Sequence, residues 1–90
     1  MEFEWDDAKA AANRRKHGVS FDEAATVFDD PLVRIFHDEE HSAFEDRWIA
    51  IGISDRGRLL VVSHSYRKRR TRIISARKAT ANEVREHEKR

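Results

Sequence analysis

Between Ser65 and Thr80 the chain reads "SYRKRRTRIISARKAT": seven Lys or Arg residues, no acid, and a centre from Thr71 to Ala76 with the composition of a strand. A disordered basic tail would not carry that centre. Arginines fixed on a sheet suit phosphoryl chemistry, because a phosphodiester in displacement gains negative charge that a preorganised guanidinium stabilises without moving. RNA supplies its own nucleophile in the 2′-hydroxyl, so arginines and one proton-transferring group suffice without a metal. His64, at the end of the preceding apolar run, is the histidine best placed for that transfer; a surface or capping role is its plainer alternative. Tyr66 has a ring to stack a base and a hydroxyl to donate to phosphate, though packing is the commoner use of a strand tyrosine. For the whole stretch the plain alternative is a strand edge kept soluble by positive charge.

The remaining candidates are weaker. His17 closes a helical pattern, where a positive charge is favourable for structural reasons alone. His37, Asp38, Glu39, Glu40 and His41 offer ligand atoms without a recognised ligand spacing, so neither metal nor cofactor is expected. With no cysteine, disulfides and thiolate chemistry are excluded. Gly-rich phosphate loops and nucleophile elbows are absent from the sequence, and Asp29-Asp30 reads as a helix end and turn before Pro31.

At 90 residues, 39% apolar and 39% charged, the chain is sized for one domain, residues 1–90, with a single modest core. No secretory signal or membrane-length apolar run is visible, so a cytoplasmic protein without membrane contact is expected. The net charge of +1 conceals a division. Residues 17 to 55 hold ten acids against Arg34 and Arg47, while residues 56 to 78 hold nine Lys or Arg and no acid. Such a local basic surface concentrates phosphate-bearing ligands whatever the total charge.

The elements that must position these groups follow from punctuation and period. Met1 to Trp5 alternates and reads as an opening strand packing Phe3 and Trp5. "DDAKAAANRRKH", Asp6 to His17, starts acidic and ends basic before Gly18, the order that complements a helix dipole and supplies a C′ residue. Ser20 and Glu23 form a capping-box pair opening a second helix, Phe21 to Phe28. After Pro31 the period changes to that of strands: Leu32 to Phe36, Arg47 to Ser54, Arg58 to Tyr66 and Arg70 to Ala76. Thr80 with Glu83 opens a last helix running to Arg90. The order β-α-α-β-β-β-β-α describes an α+β domain with helices on an antiparallel meander.

Pairing sets which side chains share a face. If Asp55-Arg56-Gly57 is a three-residue loop, Ser54 pairs with Arg58 and Trp48 stands opposite His64. Arg47, Ile49, Ile51 and Ile53 then lie on the other face with Leu59, Val61, Ser63, Ser65 and Arg67. Apolar residues on both faces call for cover on both, one of them open to a partner. A two-residue loop at Lys68-Arg69 sends Arg70 and Arg72 to the Arg47 face and leaves His64, Tyr66 and Arg77 opposite; a three-residue loop sends Arg72 to His64. Both registers remain open from sequence.

The blocks "FEWDDAKAAANRRKHGVSFDEAATVFDDP", "DRWIAIGISDRGRLLVV" and "RIISARKAT" resemble, in order and spacing, the BrnT family of type II toxins. The resemblance implies a RelE-like α+β fold, with an antiparallel sheet, two N-terminal helices and a C-terminal helix. It implies a metal-independent endoribonuclease that blocks translation. It also implies a BrnA-type antitoxin whose ribbon-helix-helix part binds operator DNA, the toxin reaching DNA only through it. Carried onto this chain, the resemblance places the active surface at Arg47, Arg72 and Arg77, with Arg67 next; the proton-transfer role of His64 rests on its own position beside the basic hairpin. Tyr66, Lys68, Arg69, Arg70 and Lys78 are the accompanying RNA-binding candidates. Relatives commonly resemble "YTER" after "LLVV"; here "SHSYR" puts Tyr66 where a Glu base would stand. Trp5, Asn13, Lys16 and Gly18 read as fold signatures. A non-catalytic module that binds nucleic acid or protein is the competing reading.

Overall fold

The computed structural model describes residues 1–89. Five strands, β1 (Glu2–Glu4), β2 (Arg34–His37), β3 (Trp48–Ile53), β4 (Leu59–Arg67) and β5 (Arg70–Lys78), combine with three helices, α1 (Asp7–His17), α2 (Phe21–Thr26) and α3 (Ala81–Glu88). Arg90, to which the sequence pattern extends the last helix, lies outside the described residues. The sheet order is β1-β5-β4-β3-β2. β2 to β5 form the expected antiparallel meander. β1 corrects the all-antiparallel expectation: it lies parallel to β5, with Glu2 beside Arg70 and Glu4 beside Arg72. A parallel neighbour needs a long crossover, and everything from α1 to β4 supplies it.

Local chemistry punctuates the helices. Asp6 caps α1 by accepting from the Lys9 amide at 2.9 Å, and Gly18 ends it at φ 69° with its N–H on the Arg14 carbonyl. Ser20 accepts from the Glu23 amide, but the reciprocal arm of the expected capping box is replaced. The Glu23 carboxylate turns inward, where the Ser54 hydroxyl donates at 2.7 Å and Arg58 Nε at 2.9 Å. The Arg58 hydrogen bond holds this carboxyl below its ordinary range although burial opposes the shift. α2 stops at Thr26 and tightens into a 3-10 turn over Val27–Asp29. Asp30 then accepts from the amides of Leu32 and Ile53, tying that turn to the end of β3. α3 has the full capping box between Thr80 and Glu83.

The core lies between the two N-terminal helices and one face of the sheet. Val19, Phe21, Ala24 and Val27 pack on Ala50, Leu60, Val62, Ile73 and Ala76. Fully burying a side chain such as Phe21 or Leu60 contributes about 1.5–3 kcal/mol. Asn13 joins α1 to the sheet by a different means. Its side-chain amide donates to the Val19 and Ala76 carbonyls, and its carbonyl accepts from the Ala76 amide. β1 pairs only with Arg70 to Arg72, so Asn13 serves as the strand partner that β5 lacks farther along.

Candidate active site

The second face of the sheet carries the arginines. β3 and β4 meet in the register set by the Asp55–Gly57 loop, with Trp48 opposite His64, so Arg47 lies one residue beyond on the face away from the core. The β4–β5 loop has two residues, with Arg67 opposite Arg70, and Lys68 accepts the left-handed φ of 55° that a tight hairpin asks of it. Arg67, Arg70 and Arg72 consequently share the Arg47 face. Strict alternation would place Arg77, five residues after Arg72, on the opposite face. A β-bulge prevents this: His64 pairs with Ile73 and Ser63 with Ser75, leaving Ile74 as an extra residue. The bulge reverses the phase of β5 and returns Arg77 to the side of Arg72 and Arg47. This corrects the expectation that a two-residue loop leaves Arg77 with His64.

Beneath this face the strands form a groove of about 270 Å³. Its floor holds Arg47, the residue before β3, with Ile49 of β3, Val61 and Ser63 of β4, and Ser75 and Arg77 of β5. His17, from the end of α1, forms one wall, and Asp38 and His41, from the β2–β3 loop, form the other. That loop is pinned where it meets the sheet. The Ser42 hydroxyl donates to the Asp38 carbonyl at 2.6 Å and accepts from the Arg47 amide at 2.9 Å, while the Asp38 amide donates to the Arg47 carbonyl at 2.8 Å. Asp38 Oδ2 lies 2.9 Å from His41 Nδ1. Arg47 Nε is buried without a hydrogen-bond partner among the described residues, as is the hydroxyl of Ser65 on the same face. The carboxylate nearest Arg47 Nε is Glu45 Oε1 at 4.0 Å, too long for a hydrogen bond, so a closer acceptor is favoured there.

Acids from elsewhere in the chain meet most of the basic side chains. Glu4 lies 3.7 Å from Arg67 and 3.4 Å from Arg72, and Glu2 lies 3.7 Å from Arg70. Glu83 of α3 grips Arg77 with two bonds of 2.7 and 2.9 Å. Arg77 lowers the Glu83 carboxyl to about 2, helped by the Thr80 amide, and Glu83 pushes the Arg77 guanidinium up in return. A wider depression of about 740 Å³ at the hairpin tip is lined by Glu2, Glu4, Arg67, Lys68, Arg69 and Arg70. Arg67 and Arg70 there face carboxylates, as Arg77 does in the groove, but no imidazole reaches it, so the smaller groove is better built for chemistry.

Comparison with known proteins bears on this surface. The family model described as ribonuclease toxin, BrnT, of type II toxin-antitoxin system matches residues 5–83. The chain belongs to the BrnT family. The crystal structure of the Brucella abortus ribonuclease toxin BrnT superposes with a TM-score of 0.69 at 24% sequence identity, over 89% of this chain and 97% of that one. No curated protein matches.

In this BrnT chain the sequence-derived candidates divide between the two faces. Arg47, Arg67, Arg70, Arg72 and Arg77 come together on one side, with Lys68 and Arg69 at the hairpin tip and Lys78 at the end of β5. His64 and Tyr66 are on the other. The His64 ring is wholly buried, with Phe28 edge-on at 4.9 Å. Its Nδ1 donates to the Val62 carbonyl at 3.2 Å and its Nε2 accepts from the Tyr66 hydroxyl at 3.0 Å. Burial drives its pKa down, so the neutral ring is favoured. Tyr66 is half exposed and meets Trp48 edge-on, with burial raising its pKa. The structure does not bring His64 to the arginines.

His17 and His41, which sequence reasoning passed over, do line the arginine groove of this BrnT chain. One signal for His17 was available: it follows Asn13 by four residues, so whatever Asn13 touches lies near His17 too. Nothing in sequence linked His41 to it. Asp38, Glu40 and His41 place ligand atoms within 4.8 Å of one another. Three groups of one surface loop, with the imidazole Nδ1 already bonded to Asp38, do not make a tetrahedral or octahedral cage. Among the described residues no helix is long and apolar enough to cross a membrane.

Proposed function

We propose that this BrnT chain is a single RelE-like toxin domain, a metal-independent endoribonuclease that cleaves RNA in the cytoplasm and thereby inhibits translation. Arg47, Arg67, Arg72 and Arg77 act on the scissile phosphate, while Lys68, Arg69, Arg70 and Lys78 hold neighbouring phosphates. The observation that carries the reading is the convergence of Arg72 and Arg77 with Arg47 on one face, through the bulge at Ile74. Rigid strands keep these guanidiniums in place, so charge developing on phosphorus is stabilised without reorganisation. His64 in this reading is a scaffold residue, and Tyr66 packs rather than stacking a base.

The partner is a BrnA-type antitoxin with a ribbon-helix-helix segment, through which alone the pair reaches operator DNA. The segment covering residues 67–78 is acidic, which speeds capture and blocks phosphate, and it brings apolar anchors because a rim of ion pairs contributes little.

The test incubates the purified chain with single-stranded RNA with and without chelator. Cleavage that survives chelation and falls about tenfold or more in Arg72→Ala or Arg77→Ala, a loss of about 1.4 kcal/mol of transition-state stabilisation, supports the enzyme. A second reading, a binding module, is favoured by the carboxylates already facing Arg67, Arg72 and Arg77. Tight RNA binding without cleavage would establish it.

A further inference from the structure

Five histidines stand in the sequence, and their surroundings separate them. His64 is sealed in the core, and His37 packs edge-on to Trp48 with Asp46 at 3.3 Å. His87 sits on α3 beside Arg34 and Ile51. His17 and His41 alone, among the described residues, border the groove whose floor holds Arg47 and Arg77.

We propose that His41, oriented by Asp38, and His17 are the proton-transfer pair of that groove. The proposal rests on the ribonuclease reading and adds to it the groups that move protons. Asp38 Oδ2 accepts from His41 Nδ1–H at 2.9 Å, which fixes the tautomer and leaves Nε2, the basic nitrogen, for the groove. A base held by a second group that is itself held is the arrangement proton transfer requires. Asp38 meets the second condition, since its amide and carbonyl are bound to the Arg47 carbonyl and the Ser42 hydroxyl.

His17 is fixed by a different element. Asn13, one helical turn earlier on the same face of α1, is bonded to both backbone groups of Ala76. The neighbours of Ala76 are Ser75 and Arg77, so the bond that docks α1 on β5 also sets His17 against the groove. The charged groups around the two rings are Asp38 and Glu40 of the loop, Glu45 and Arg47 just before β3, and Arg77 of β5, whose charge Glu83 already answers.

His41 Nε2 takes the proton of the 2′-hydroxyl as its oxygen bonds to the adjacent phosphorus. The bond from phosphorus to the 5′-oxygen breaks, and that oxygen takes a proton from the His17 imidazolium. Products are a 2′,3′-cyclic phosphate and a 5′-hydroxyl, with water later restoring both rings by proton exchange. Arg47 and Arg77 face the non-bridging oxygens throughout.

The test measures kcat against pH on a short single-stranded RNA, in chelator, for wild type, His41→Gln and His17→Gln. His41 is 62% exposed at its side chain, so its replacement leaves packing alone. Each variant is expected to lose about 10²–10⁴-fold in kcat. His41→Gln removes the acidic limb of the profile and His17→Gln the alkaline limb. Nitrogen NMR of the imidazoles gives a readout that needs no activity: His41 is the Nδ1–H tautomer in wild type and loses that preference in Asp38→Asn. Wild-type cleavage with both limbs unchanged in the two variants would overturn the pair while leaving the ribonuclease reading intact. Absence of wild-type cleavage would remove both. If His17→Gln does not fold, the His41 profile and its tautomer decide.

Discussion

Replacing Glu83 by Gln removes a carboxylate that both closes the cap of α3 and holds Arg77 at the groove. The size of the effect follows from the proton affinity of Glu83, which falls from 4.5 to about 2 on folding, mainly through its hydrogen bonds with Arg77. At about 1.36 kcal/mol per pH unit the linkage sets a ceiling of about 3 kcal/mol. Arg77 is 41% and Glu83 29% exposed at the side chain, so solvent screens the pair and the expected loss is about 1 kcal/mol. In a domain of this size that lowers Tm by about 4–8 °C. The sign with pH is fixed. A carboxyl whose pKa is depressed in the folded state stabilises fully above 4.5 and progressively less as pH falls toward 2. Urea unfolding of both proteins at pH 7, 4.5, 3 and 2 should therefore show a gap that is widest at pH 7 and closes between 4.5 and 2. A gap of equal size at pH 7 and pH 2 would refute the assignment to the ionised pair, and no gap at pH 7 would refute its contribution altogether.

Gly52→Ala should lose about 1–3 kcal/mol by overpacking, because a Cβ there meets Val27 Cγ1 at 2.9 Å with Asp30 Oδ2 and Val33 Cγ2 at 3.2 Å; urea unfolding reads it. The buried His64 resists protonation, so wild-type stability should hold above pH 6.5 and decline below it as the unfolded chain takes up the proton; His64→Gln should flatten that decline in unfolding midpoints from pH 8 to 5. Glu4→Gln frees Arg67 and Arg72, so RNA should bind more tightly and the slope of log affinity against log salt should steepen by about 0.7 per phosphate gained; an unchanged slope would mean those arginines never reach the backbone.

Local chemistry was legible where it depends on neighbours in sequence. Asp6, Gly18, Ser20 and Thr80 mark helix ends because caps are decided within one turn. Trp48 stands opposite His64 because a three-residue loop fixes the count on both strands. What sequence did not reveal depends on the third dimension. The face shared by His64 and Trp48 could be assigned, but not that α1 and α2 would bury it. The alignment of Glu2 and Glu4 with Arg70 and Arg72 comes from parallel pairing across nearly the whole chain, which no local pattern encodes. The electrical division of the sequence is thus partly cancelled in the fold. Glu23 looked like a capping residue and became a buried partner of Arg58, since a guanidinium satisfies a buried carboxylate better than one amide does.

The extra residue at Ile74 makes the pairing of β5 itself part of the site. If Ile74 entered the ladder in place of Ser75, alternation along β5 would be unbroken and Arg77 would point where Ala76 now packs, carrying a charge into the core. A slip of pairing by one residue would turn half of a strand inside out, whereas losing Ile74 itself would leave Arg72 and Arg77 four residues apart on one face. Substitution at Ile74, unpaired and only half buried, leaves the phase as it is. The site therefore depends on where the bulge falls rather than on how many residues the strand holds, and an alignment that opens a one-residue gap at Ile74 would be describing a protein with the same face.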